Sequence, residues 1–97
     1  MAVSLLYAIN HVITKLKFGN NVDIKVVDRI WGNPINRRKS VRPIGLKAYL
    51  DTVPDNTRVA TFIRELERRI GAQIGARIEI TVAGHPIDGR RSIAWLR

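Results

Sequence analysis

Between Val59 and Ile70 the residues Val59, Phe62, Ile63, Leu66 and Ile70 recur at i, i+3, i+4, i+7 and i+11. Arg58, Thr61, Arg64, Glu65, Arg68 and Arg69 point elsewhere. This is the period of an α-helix that is apolar on one face only, and such a helix folds only against a second layer. Thr52-Val53-Pro54-Asp55 resembles a capped start with proline in the first turn. Arg68 and Arg69 suit the negative end of the helix dipole. Either Gly71 or Gly75 can end the helix, because Ile74 continues the stripe past the first glycine.

A second helix is predicted over Ser4–Phe18. Leu5, Ile9, Val12, Ile13 and Leu16 form its stripe, Ser4 can cap it, and Gly19 and Asn20 can stop it. Val22, Ile24 and Val26 alternate with Asp23 and Lys25, as on a strand that ends at Gly32-Asn33-Pro34. Ile78, Ile80 and Val82 alternate in the same way with Arg77, Glu79 and Thr81, which puts Thr81 on the solvent side. Gly84 to Gly89 carries turn chemistry, so Ser92–Leu96 is predicted to return as a hairpin strand with Ile93 and Trp95 beneath a helix. Leu46–Leu50 fits both periods. Leu46, Ala48 and Leu50 alternate, while Leu46, Tyr49, Leu50 and Val53 match a helix; the strand reading is preferred here. The expected fold class is α+β, a small two-layer sandwich. Two amphipathic helices cover one face of a three- to four-stranded, mainly antiparallel sheet in the order α-β-β-α-β-β.

A chain of 97 residues is enough for one domain, residues 1–97, and it holds no internal repeat. Its charge is the unusual bulk property: 17 Lys and Arg against 8 acids, a net charge of +9, with Arg in the majority. So large a surplus repels itself unless a polyanion relieves it, and nucleic acid is the commonest polyanion available to a soluble protein. An acidic protein surface is the other candidate partner. The absence of cysteine excludes disulfides, thiolate zinc sites and a cysteine nucleophile. The first residues lack a basic region ahead of their apolar run, which Asn10, His11 and Lys15 interrupt. A cytoplasmic location, in a host cell if the chain is virus-encoded, is therefore expected, with no membrane association.

Six cations and no acid lie between Arg29 and Leu50: Arg29, Arg37, Arg38, Lys39, Arg42 and Lys47. Pro34 and Pro43 bracket most of them, which suggests a projecting arm able to follow a phosphate backbone without reading bases. Arg90 and Arg91 follow the Asp88-Gly89 turn and extend the candidate nucleic-acid contacts. Trp31 and Trp95 stand near cations and could stack on bases, although tryptophan in so small a protein is more often packed in the core.

No residue set suits catalysis. Ser4, Ser40 and Ser92 lack a nucleophile elbow. His11 and His85 have no neighbour in sequence to orient them or to complete a metal site. Asp23 and Asp28 fall on opposite strand faces, and Glu65 and Glu67 diverge on a helix. A ribonuclease assembled from Tyr49, His85 and Arg91 has no support in their spacing. Gly71 to Gly75 matches neither a phosphate loop nor the GXXG loop of KH-type RNA binders. No cofactor and no metal are expected. The sequence therefore points to a non-enzymatic nucleic-acid-binding domain, DNA or RNA, of open oligomeric state with a homodimer conceivable. The alternative is an interaction protein, viral or host, whose basic face docks on an acidic partner as an inhibitor, adaptor or assembly component.

Overall fold

In a computed structural model describing residues 1–97, the first stripe forms α1, Leu5–Leu16, and buries Leu5, Ala8, Ile9, Val12 and Leu16. Ser4 starts it by accepting the Tyr7 N–H at 3.1 Å. The stop lies earlier than Gly19: Lys17 itself takes the left-handed backbone, φ 57, at a position where most residues are strained. Just before α1 is the two-residue β1, Val3–Ser4.

The two alternating segments form β2, Val22–Asp28, and β4, Ala76–Val82, paired antiparallel from Val22↔Val82 to Asp28↔Ala76. Register places Ile24 opposite Ile80 and Val26 opposite Ile78 on the inner face, where one apolar cluster joins them to α1 and the later helices. The molecule is thus α+β, with three helices and two small antiparallel sheets: β1 pairs with the short β3, Ser40–Val41, and β4 lies between β2 and the short β5, His85–Pro86.

The preferred strand at Leu46–Leu50 is instead a helix, α2, Leu46–Thr52. Leu46 and Leu50 are buried one turn apart, and Tyr49 and Val53 pack beside them, so the helical stripe outweighs the alternation. The strand that precedes it is the short β3, Ser40–Val41, paired with β1.

The strongest stripe forms α3, Val59–Leu66, which starts later than the Thr52–Asp55 pattern implied. The Val59 and Ala60 N–H groups donate to the carbonyls of Arg91 and Gly89, so a distant loop does the capping. Beyond Leu66 the backbone widens into a π turn, Glu67–Gly71, then tightens into a 3₁₀ turn, Ala72–Ile74, and stops at Gly75 with φ 64. Both glycines matter: a Cβ on Gly71 would lie 2.9 Å from the Ala76 carbonyl oxygen, and Gly75 takes the left-handed stop.

The hairpin also differs from expectation. It turns at Ala83-Gly84, both at positive φ, into the short β5, His85–Pro86. Ser92–Leu96 does not return as a strand; Ile93–Leu96 is a 3₁₀ turn. Its period of three buries Ile93 with Leu96 and leaves Trp95 47% exposed.

Candidate nucleic-acid interface

Residues 33–44 do not project. They form a strap fixed along its length by backbone hydrogen bonds. Asn33 O accepts from Asp28 N, and Ile35 N donates to Val26 O, so the strap runs along the free edge of β2. Farther on, Leu5 N and Leu6 N, the first free donors of α1, reach Lys39 O at 2.8 Å and Arg37 O at 2.9 Å. Val41 is buried within the β1–β3 pair. Gln73 then clamps Arg42 in both directions, its amide accepting Arg42 N at 2.7 Å and donating to Arg42 O at 2.8 Å.

Backbone restraint of this kind leaves the side chains outward. Arg37, Arg38, Lys39, Arg42 and Lys47 are all exposed. The turn Arg37-Arg38-Lys39 lies against the positive end of α1, whose first turn holds no acid. Arg42 sits by backbone contact at Gln73, and Arg29 by its N–H at Gly75 O, so these two share the 72–75 end of the molecule. Lys47 is on α2 and borders a groove of about 400 Å³ with Val3, Tyr7, His11 and Pro43. Tyr7 and His11 stack there, ring centroids 6.4 Å apart and nearly parallel.

Arg90 and Arg91 sit in a different setting. Asp88 takes the Arg90 guanidinium through both oxygens at 3.0–3.3 Å and also accepts the Arg90 N–H. This holds the Asp88 carboxyl below its ordinary range. Arg91 lies over the Trp95 ring, its guanidinium carbon 4.3 Å from the centroid. Arg37 has only a long contact to Asp23, at 3.5 Å.

Across the whole molecule the acids are all occupied. Six of the eight make ion pairs: Asp23, Asp51, Asp55, Glu65, Glu79 and Asp88. Glu67 accepts the Ile78 N–H at 2.9 Å. Asp28 accepts three backbone N–H groups, from Ile30, Trp31 and Asn33, and the one from Trp31 leads in holding its carboxyl below the ordinary range. The cations left without an ion pair are Arg29, Arg38, Lys39, Arg42, Lys47 and Arg91 of the candidate set, with Lys17, Lys25, Arg58 and Arg64.

Two arginines outside the candidate set are structural ties. Arg69, with a side chain 17% exposed, donates to the carbonyls of Ile44 and Gly45, pairs with Glu65 and lies over Tyr49. Arg97 joins Leu16 O to Asp55 across the fold. The Tyr49, His85 and Arg91 side chains share no hydrogen bond; Tyr49 stacks on Phe62, and burial raises its phenol pKa. No three His, Cys, Asp or Glu side chains gather to hold a metal ion, and no helix is long and apolar enough to cross a membrane. Comparison with protein-family models, characterised proteins and solved structures finds no match for the chain.

Proposed function

We propose that this chain is a non-enzymatic domain that binds nucleic acid through its phosphate backbone, with Arg29, Arg38, Lys39, Arg42 and Lys47 as the principal contacts. One observation carries the reading: six of the eight acids are taken up by ion pairs, so the ten unpaired cations face only the hydrogen-bonded carboxylates of Asp28 and Glu67. Phosphate contacts of this kind give affinity without base selection. Arg37 joins the set at the α1 end, while Arg90 is the weakest candidate because it must first release Asp88.

The test is a salt titration of binding to DNA and RNA strands. Each phosphate neutralised contributes a log–log slope of about −0.7 on single strands and about −0.9 on duplex DNA. Replacing Arg37, Arg38, Lys39 and Arg42 together with Ala is expected to leave the fold intact, because the strap is held by its backbone. It should flatten the slope and weaken all sequences alike. A folded variant that binds as well as wild type would remove the strap from the mechanism. The alternative, docking on an acidic protein surface, draws support from the groove beside Lys47, since stacked rings in an apolar recess also suit a protein partner.

A further inference from the structure

The turn after β2 presents two large apolar side chains to solvent: Ile30 and Trp31 are each 81% exposed. The turn is rigidly built. Asp28 carboxylate oxygens accept from Ile30 N at 3.0 Å, Trp31 N, and Asn33 N at 2.8 Å, while Gly32 N donates to Asp28 O. Gly32 takes φ +73, which only glycine adopts without strain. Arg29 anchors the base of the turn through its N–H to Gly75 O and its Nε to Ala76 O. None of these bonds uses the indole. The protein thus fixes the backbone that carries Trp31 while leaving its ring unpacked, against the burial that tryptophan normally achieves.

We infer that Trp31 is a stacking platform for an unpaired nucleobase, so that the domain prefers single-stranded nucleic acid; this rests on the nucleic-acid reading above and specifies its substrate. The surroundings favour a base over an apolar protein surface. The Arg77 guanidinium beside Gly32 is paired with Glu79, whereas Arg29 and Arg42 lie at the same 72–75 end without acid partners. A strand with its phosphates on these cations brings a base within reach of the ring, whereas a duplex keeps its bases stacked inside. Base–aromatic stacking tolerates any sequence, in keeping with backbone binding. Trp95 is the weaker platform, since Arg91 already covers one of its faces.

The test compares Trp31→Leu with Trp31→Phe in the full chain. Leu keeps apolar bulk and loses the ring, while Phe keeps a ring able to stack. Against oligothymidine of about 12 nucleotides, Trp31→Leu should lose about ten-fold in affinity while Trp31→Phe retains most of it. Affinity for a duplex of similar length should change by less than about two-fold in both, because phosphate contacts dominate there. In a Trp95→Phe background, the remaining Trp31 emission should be quenched as the single strand saturates. Unaltered melting temperatures establish that the fold is intact. Wild-type affinity of Trp31→Leu for the single strand overturns the inference alone, as does a Trp31→Phe variant as weak as Trp31→Leu. A blue shift without quenching also overturns it and points to an apolar protein contact. No binding of any nucleic acid by wild type overturns the functional reading together with the inference.

Discussion

Ile80 and Thr81 are neighbours on β4, and both are buried although they point to opposite faces. Simple alternation puts Thr81 on the solvent side, where Thr81→Asp would be mild. The residue is only 5% exposed, and its hydroxyl has no hydrogen-bond partner. Thr81→Asp is therefore expected to cost about 3 kcal/mol or more, as does leaving any unpaired charge inside. Thr81→Val should fall within about 0.5 kcal/mol of wild type or be stabilising, because it removes an unsatisfied group without changing shape. Urea unfolding midpoints separate these outcomes, and equal midpoints would return Thr81 to the surface. The same measurement checks α3. Leu66, fully enclosed, should cost about 2–5 kcal/mol as Leu66→Ala, and exposed Arg64→Ala within about 0.5 kcal/mol.

Elements depend here on groups far away in the chain. The edge of β4 beyond short β5 is completed by Glu67, whose carboxylate takes the Ile78 N–H. Glu67→Ala should cost about 1–3 kcal/mol by stranding that donor, and Glu67→Gln, which keeps an acceptor oxygen, should recover most of it. The Asp28 turn makes a prediction in pH. Its carboxyl pKa is lowered in the fold, so its contribution is complete above the ordinary aspartate value and is lost as pH falls through the lowered one. Trp31 emission should thus be constant from neutral pH to about pH 4 and change below it, and Asp28→Asn should remove that acid transition. Such dependence marks what the sequence could disclose. The stripes of α1 and α3 and the alternation of β2 and β4 were legible, because a period is a local property of the chain. The start of α3 was not, because its caps are the carbonyls of Gly89 and Arg91. In the candidate site, the run of cations was a local feature of the sequence and its flat, pinned course was not, since Gln73 lies 31 residues from Arg42. Arg90 is the exception: Asp88 stands two residues before it and was a local signal of pairing.

For the molecule as a whole, a net charge of +9 with every acid engaged sets two opposite responses to salt. In the free protein, unpaired cations repel one another over a Debye length of about 10 Å at 0.1 M salt. Added salt screens that repulsion, so the melting temperature of the free chain should rise with ionic strength. Bound to a polyanion, the same cations depend on released counterions, so added salt weakens the complex. A ligand at about 100 times its dissociation constant stabilises the fold by about 2.7 kcal/mol. In a domain of this size that raises the melting temperature by about 10–20 °C. Thermal melts with and without a single-stranded oligonucleotide should therefore start far apart at low salt. They should converge as salt increases, the free curve rising and the complex falling. Replacing Arg38, Lys39 and Arg42 with Ala should raise the free melting temperature at low salt and shrink the gap, because these cations both repel and bind. Arg90→Ala should do little to the free chain, since Asp88 already neutralises that charge. A free melting temperature that falls with salt would mean that the ion pairs outweigh the repulsion, and it would remove the charge surplus as the reason for seeking a polyanion.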